Sequence, residues 1–283
     1  MRRLLPFAVS TLSMVVLAAP AAAQQVAVTD DASRMHGLHQ HDAPVPSGVP
    51  TAPRVEVVSD TVTYATIDGK PVRGFRSRPK GAKKDAPALV VVHEWWGLND
   101  NIRAATERLA GEGYVALAVD LYNGSVATTP DSATALMRAS SGNVAGNRAN
   151  LAAAIDYLRS QGAKKVGTIG WCFGGRWSLQ AGLVGGSKVQ AVVMYYGSPI
   201  TDPAQLAELQ APLLGLFGSQ DGGIPAGSVK AMAAALDKLG KNETVQFFDA
   251  GHGFANPSGK NYNAAAAESA WKATTEFFAH YLK

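Results

Sequence analysis

The chain has 283 residues, with 26 Lys and Arg against 22 Asp and Glu and a single cysteine. A formal net charge of +4 is too weak to argue for a nucleic-acid partner, and one thiol excludes an internal disulfide. Cys172 is therefore a buried inert thiol, an intermolecular partner or a reactive nucleophile, and its neighbours must decide.

The chain opens with Arg2 and Arg3, an apolar run through Ala19, and the small residues Ala21 and Ala23 before Gln24. This pattern predicts a cleavable export signal over residues 1–23 and a periplasmic or secreted protein, with the choice between the Sec and twin-arginine routes left open. No later stretch reaches the about 18 apolar residues of a membrane span, so no membrane partner is expected after cleavage. About 260 residues would remain, enough for one α/β domain. Residues 24–60 read as a flexible leader, because 24–53 are rich in Ala, Pro, Ser, Gln and His without apolar periodicity. His36, His39 and His41 cluster there, but no Cys or carboxylate set of fixed spacing accompanies them, and the expectation is an unliganded tail with no metal.

The domain is expected over residues 61–283. Thr61 to Ile67, Asp68-Gly69 and Val72 to Arg76 predict an N-terminal β-hairpin, since Asp-Gly readily takes the positive φ of a tight turn. The apolar run Ala88 to His93, the amphipathic stretch Ile102 to Ala110 and the run Tyr114 to Val119 read as strand, helix, strand. Further strands are expected at Val166 to Trp171, Val189 to Tyr195, Leu213 to Phe217 and Thr244 to Phe248, with helices between. The alternation predicts a mostly parallel central sheet covered by helices on both faces. No complete GxGxxG or GxxxxGK occurs, which disfavours nucleotide binding.

The strand ending at Trp171 runs into Gly170-Trp171-Cys172-Phe173-Gly174-Gly175 and then a helix, which is a nucleophile elbow with Cys in place of Ser. A sharp strand-to-helix turn needs small residues for close approach, and the helix N-terminus behind Cys172 favours a thiolate. A buried structural Cys would not need this glycine pattern. The thiol needs a base on a later loop at the same sheet edge, and only His252 and His280 follow it. His252 sits just after a strand, whereas His280 lies among apolar residues of the last helix. Asp221, after the strand Leu213 to Phe217, could fix the imidazole tautomer, although a loop Asp is more often a turn former. In the loop His93-Glu94-Trp95-Trp96-Gly97, the amide of Trp95, together with that of Phe173, is placed to form an oxyanion hole. Glu94 must find a partner or a proton between an apolar strand and two tryptophans, and His93 reads as structural.

HEWWGLN, DLYNG, GWCFGG, GSQDGGIP and AGHGFAN, in this order from about Val62 to the C-terminus, resemble the dienelactone hydrolase family. The resemblance implies the α/β-hydrolase fold, a catalytic set of Cys172, Asp221 and His252, and Glu94 in contact with the resting thiol until substrate displaces it. It implies a small ester or lactone as partner and no cofactor. Trp96, Tyr122 of DLYNG, Arg138 and Asn256 fall where substrate contacts are expected. Better-known members hold the lactone carboxylate with an Arg four residues after the catalytic His, where this chain has Asn256, and with an Arg and a Tyr on the helix after DLY. The stretch Pro130 to Ser141 offers Arg138 and no Tyr. A carboxylesterase or thioesterase acting on neutral apolar esters, and a non-catalytic thiol-bearing binding protein, remain as alternatives. A monomer is favoured, with the oligomeric state left open.

Overall fold

The computed structural model describes residues 31–42, 44 and 52–283, so the expected export signal lies outside the described residues. Strands β1 (Val57–Ile67), β2 (Lys70–Pro79), β3 (Ala88–Val92), β4 (Val115–Val119), β5 (Val166–Trp171), β6 (Ala191–Tyr195), β7 (Leu213–Gly218) and β8 (Glu243–Phe248) form one sheet. Its order is β1-β2-β4-β3-β5-β6-β7-β8. β2 is antiparallel to both β1 and β4, and every other pairing is parallel. The β1–β2 turn is made by Asp68 and Gly69, both at positive φ (50° and 73°), as a twisted two-residue hairpin requires.

Burial follows position in the sheet. β3, reading Ala-Leu-Val-Val-Val, is buried at every residue, because a central parallel strand is covered by helices on both faces. The edge strands β1 and β8 instead alternate, and β1 carries a register shift between Thr63 and Ala65 that breaks its flatness. Helices α2 (Asp100–Gly111), α3 (Pro130–Gly142), α4 (Val144–Ser160), α5 (Phe173–Gly185), α6 (Pro203–Leu206), α7 (Ala226–Lys238) and α8 (Ala264–Leu282) fill the connections. Asn99, Thr129 and Asn263 cap α2, α3 and α8 with side-chain oxygens that accept from first-turn amides.

The leader differs from its expectation. Residues 31–39 are helical, here α1, and β1 begins at Val57 rather than Thr61. Ala32 and Met35 are buried and Leu38 packs on the core, an i, i+3, i+6 stripe too short to register as periodicity. His36 Nδ1 lies 3.0 Å from Thr134 Oγ1, and Leu38 fills space over Gly223, where a Cβ would meet it at 2.2 Å. Part of the expected tail is thus packed over the carboxyl ends of the strands.

Candidate active site

The parallel strands deliver the chemistry-bearing loops to one edge: Glu94 and Trp95 follow β3, Cys172 follows β5, Asp221 follows β7 and His252 follows β8. Cys172 sits between β5 and α5 at φ 55° and ψ −119°, a left-handed backbone that a side-chain-bearing residue rarely adopts. The neighbouring glycines hold it there. A Cβ on Gly170 would stand 2.1 Å from the Gly174 carbonyl oxygen, and one on Gly174 would stand 2.3 Å from that of Val92. Helix and strand touch backbone to backbone, which forces the turn and points the thiol away from the sheet.

His252 Nε2 lies 3.2 Å from Cys172 Sγ, and its Nδ1 lies 2.7 Å from Asp221 Oδ2. Asp221 Oδ1 accepts from the Gly223 and Ile224 amides, each at 2.8 Å, so the carboxylate is held at both oxygens. The two loops bearing Asp221 and His252 are stitched by Ser219 N–H to Phe248 O (2.8 Å) and Gln220 N–H to Ala250 O (3.0 Å). Gly218 lets them close, since a Cβ there would meet Ala250 O at 2.3 Å. All three side chains are buried. Burial alone would raise the Cys172 thiol, but the His252 imidazole, with a smaller contribution from His39, outweighs it and pulls it below the ordinary thiol range. Burial likewise works against charge on His252, and the thiolate and Asp221 overcome it and push the imidazole up. The two shifts reinforce each other, each group favouring the charged form of its partner.

Trp95 follows β3 and Phe173 directly follows Cys172, so the two expected oxyanion-hole residues lie at this same sheet edge. The Trp95 loop is fixed by His93, which is fully buried and kept neutral by burial. Its Nδ1 donates to Glu94 O at 2.6 Å while its Nε2 accepts from the Leu121 amide at 3.1 Å. His93 is structural, as expected, and the hydrogen bonds define its tautomer.

The other expected residues divide. Among the described residues Glu94 makes no hydrogen bond to the thiol, in contrast to the contact that the resemblance implies. Its Oε2 accepts from Asn256 Nδ2 at 2.8 Å, and burial, reinforced by the Cys172 charge, pushes its carboxyl up to about 8. A carboxyl that is largely neutral at pH 7 can rest beside a thiolate without pairing to a cation. Trp96 and Asn256 line the cavity of about 390 Å³ that opens on Cys172 and His252. Arg138 does not: it is exposed and donates to Ser33 Oγ at 2.9 Å. Tyr122 is also absent from the lining, because its ring is buried behind the loop against His93 and Phe173, at 4.5 and 5.3 Å between centroids.

Four residues at the site were not anticipated. Met35 of α1 places Sδ 3.7 Å from Cys172 Sγ. His39 lines the cavity, its ring 4.8 Å from that of Trp95 and 5.4 Å from that of His252. Lys260 also lines it, with Nζ 3.2 Å from Asp42 Oδ1. Tyr196, at φ 34°, lays its ring edgewise on His252 at 5.2 Å and backs the imidazole. The spacing Ala32, Met35, Leu38 was the one signal available for the first two.

Residues 72–282 match the family model described as the dienelactone hydrolase family. A protein of Escherichia coli strain K12 that carries the name carboxymethylenebutenolidase is 32% identical over 275 residues, covering 83% of this chain and 94% of its own. A dienelactone hydrolase-like promiscuous phosphotriesterase from metagenomic libraries superposes with a TM-score of 0.73 at 26% identity, over 80% of this chain and 99% of that one. A structure from Klebsiella pneumoniae titled as a dienelactone hydrolase gives 0.71 at 24% identity, over 80% and 100%.

Proposed function

Because this chain belongs to the dienelactone hydrolase family, we propose that it hydrolyses small esters or lactones through an acyl-thioester on Cys172, with His252 as acid and base and Asp221 as its orienter. The observation that carries this reading is the unbroken line from Cys172 Sγ through both His252 nitrogens to a doubly held Asp221, at the floor of an open cavity.

In the proposed reaction the thiolate attacks the substrate carbonyl carbon, and the resulting oxyanion takes hydrogen bonds from the Trp95 and Phe173 amides. The tetrahedral adduct collapses as the His252 imidazolium gives its proton to the leaving alkoxide, leaving the acyl group on sulfur and a neutral imidazole. Water then loses a proton to His252 Nε2 and attacks the thioester. Collapse of this second adduct frees the carboxylic acid and restores the thiolate–imidazolium pair. Asp221, accepting from Nδ1–H throughout, keeps Nε2 aimed at the reaction. Glu94, neutral and tied to Asn256, adds no negative charge opposing the oxyanion.

The substrate side favours neutral esters over carboxylated lactones. Asn256 is already committed to Glu94 and, through Oδ1, to the Ser258 amide at 2.9 Å, and Lys260 is paired with Asp42. No unpaired cation among the described lining residues is left for a substrate carboxylate. We further propose that residues 1–23 direct export. The test is mass spectrometry after mixing with a slow ester: one acyl adduct on Cys172 is expected, and ester turnover retained by Cys172→Ala would refute the reading.

A further inference from the structure

His252 and His39 are built alike. Each turns Nδ1 to a carboxylate at 2.7 Å, Asp221 in one case and Asp42 in the other, and a carboxylate facing Nδ1 accepts the proton there. With Nδ1–H held there, Nε2 is the nitrogen of each ring that a metal would take, in place of any proton it carries. His252 Nε2 faces Cys172 Sγ, whereas His39 Nε2 is buried without a hydrogen-bond partner among the described residues, and His39's side chain is only 12% exposed. One nitrogen of each imidazole and the sulfur of Cys172 lie within 4.8 Å of one another. Asp42 is itself anchored by Lys260, so the His39 arm is braced as the His252 arm is.

We propose that Cys172, His252 and His39 form a binding site for a thiophilic metal ion, with zinc as its probe, and that occupancy silences the thiol. A thiolate with two imidazoles is a donor set that zinc takes in tetrahedral sites, with water as the fourth ligand. Bonds of about 2.3 Å to sulfur and 2.0–2.1 Å to nitrogen put the donor atoms roughly 3.3–3.6 Å apart. The Cys172–His252 pair is already at 3.2 Å, so any closure required falls to His39, which sits at the C-terminal end of α1 and not on the sheet. The carboxylate behind each imidazole is the outer support that metal-bound histidines use to fix their orientation. Met35 Sδ, 3.7 Å from Sγ, adds a soft donor nearby and makes the surroundings unattractive to magnesium or calcium. Metal binding converts the lone pair that would attack a carbonyl into a metal–sulfur bond. The site shares Cys172 and His252 with the proposed reaction but does not require them to be catalytic, so its test needs no substrate.

The experiment titrates Co²⁺ into metal-free, reduced full-length protein. Expected are the near-ultraviolet thiolate-to-cobalt band and the visible bands of a tetrahedral ion at one equivalent, both displaced by one equivalent of Zn²⁺ and untouched by excess Mg²⁺. Cys172→Ala should abolish the thiolate band. His39→Ala should weaken zinc binding at least tenfold by calorimetry, and Asp42→Asn should weaken it less. Stoichiometric iodoacetamide labelling of Cys172 and an unchanged circular dichroism spectrum certify that the His39 variant is folded. Absence of one-to-one binding in the parent protein, or an affinity unchanged in folded His39→Ala, overturns the site. If esterase activity fails while cobalt binds, the catalytic reading falls and the metal site stands.

Discussion

Two regions converge on Cys172 and differ in how they are held. The elbow is part of the sheet: β5 hands the chain to α5 through glycines that leave no room for a methyl group, and β7 and β8 supply Asp221 and His252 from stitched loops. The segment over residues 31–42 reaches the same sulfur from outside, through one buried thioether and one imidazole, with Ala32 and Leu38 as its remaining apolar anchors. The first region is over-determined by packing and the second rests on few contacts. Chemistry placed on the first should survive changes that release the second.

The largest expected effect comes from the sheet-borne pair. Cys172→Ala and His252→Ala should each lower kcat by about 10⁴-fold or more, and the double variant by little more, because the residues act as a unit. Losses that multiply would contradict a shared nucleophilic step. Next, Gly174→Ala drives a methyl group to 2.3 Å from Val92 O and 2.5 Å from His93 O, so helix and strand must part. Thermal unfolding should show a loss of about 1–3 kcal/mol, with activity falling further than stability. A neutral result would mean the elbow is looser than its contacts indicate.

The acid–base pairing predicts a pH response. With the thiol held low by His252, iodoacetamide labelling of metal-free protein should stay fast below neutral pH and slow only as acid protonates the thiolate. His252→Ala removes the cation while burial still raises the thiol, so labelling at pH 7 should drop and its midpoint should move to higher pH. A midpoint shift in the acid direction is the result that sinks the ion pair.

Deleting residues 1–50 sharpens the comparison most directly. The truncated chain should fold, label Cys172 faster because Met35 no longer rests on the sulfur, and keep ester turnover within about tenfold. Inactivation as deep as that of Cys172→Ala would make the segment part of the machinery. The smallest effect concerns charge: a well-placed ion pair discriminates by roughly 30-fold to 1,000-fold, and this cavity should prefer a carboxylated lactone over its methyl ester by less than about 10-fold in kcat/KM. A strong preference for the acid would show that Lys260 leaves Asp42 to bind substrate.

The sheet was legible because a buried parallel strand must be apolar at every position, as in Ala88–Val92, and because the elbow's glycines are dictated by backbone contact. The order Cys172, Asp221, His252 along successive strands then places three loops at one edge. What escaped notice depends on side-chain direction or on contacts far apart in the chain. Arg138 lies on α3, whose Ala133, Thr134 and Met137 face inward, so the helix turns it outward toward Ser33. Glu94 and Asn256 are 162 positions apart, and no local pattern announces their bond. The short α1 stripe was hidden in a stretch whose composition reads as unstructured.

The stitching between the loops of Asp221 and His252 has a mechanical consequence. Those residues ride on one body, joined by backbone hydrogen bonds across β7 and β8, while Cys172 rides on another, the β5–α5 turn. The side-chain seam between them is the 3.2 Å approach of Nε2 to Sγ, while the strands beneath are joined through β6. Warming or mild denaturant should open that seam before it parts the imidazole from its carboxylate. Activity would then fade reversibly while the protein still reads as folded, and it would return on cooling without any refolding step.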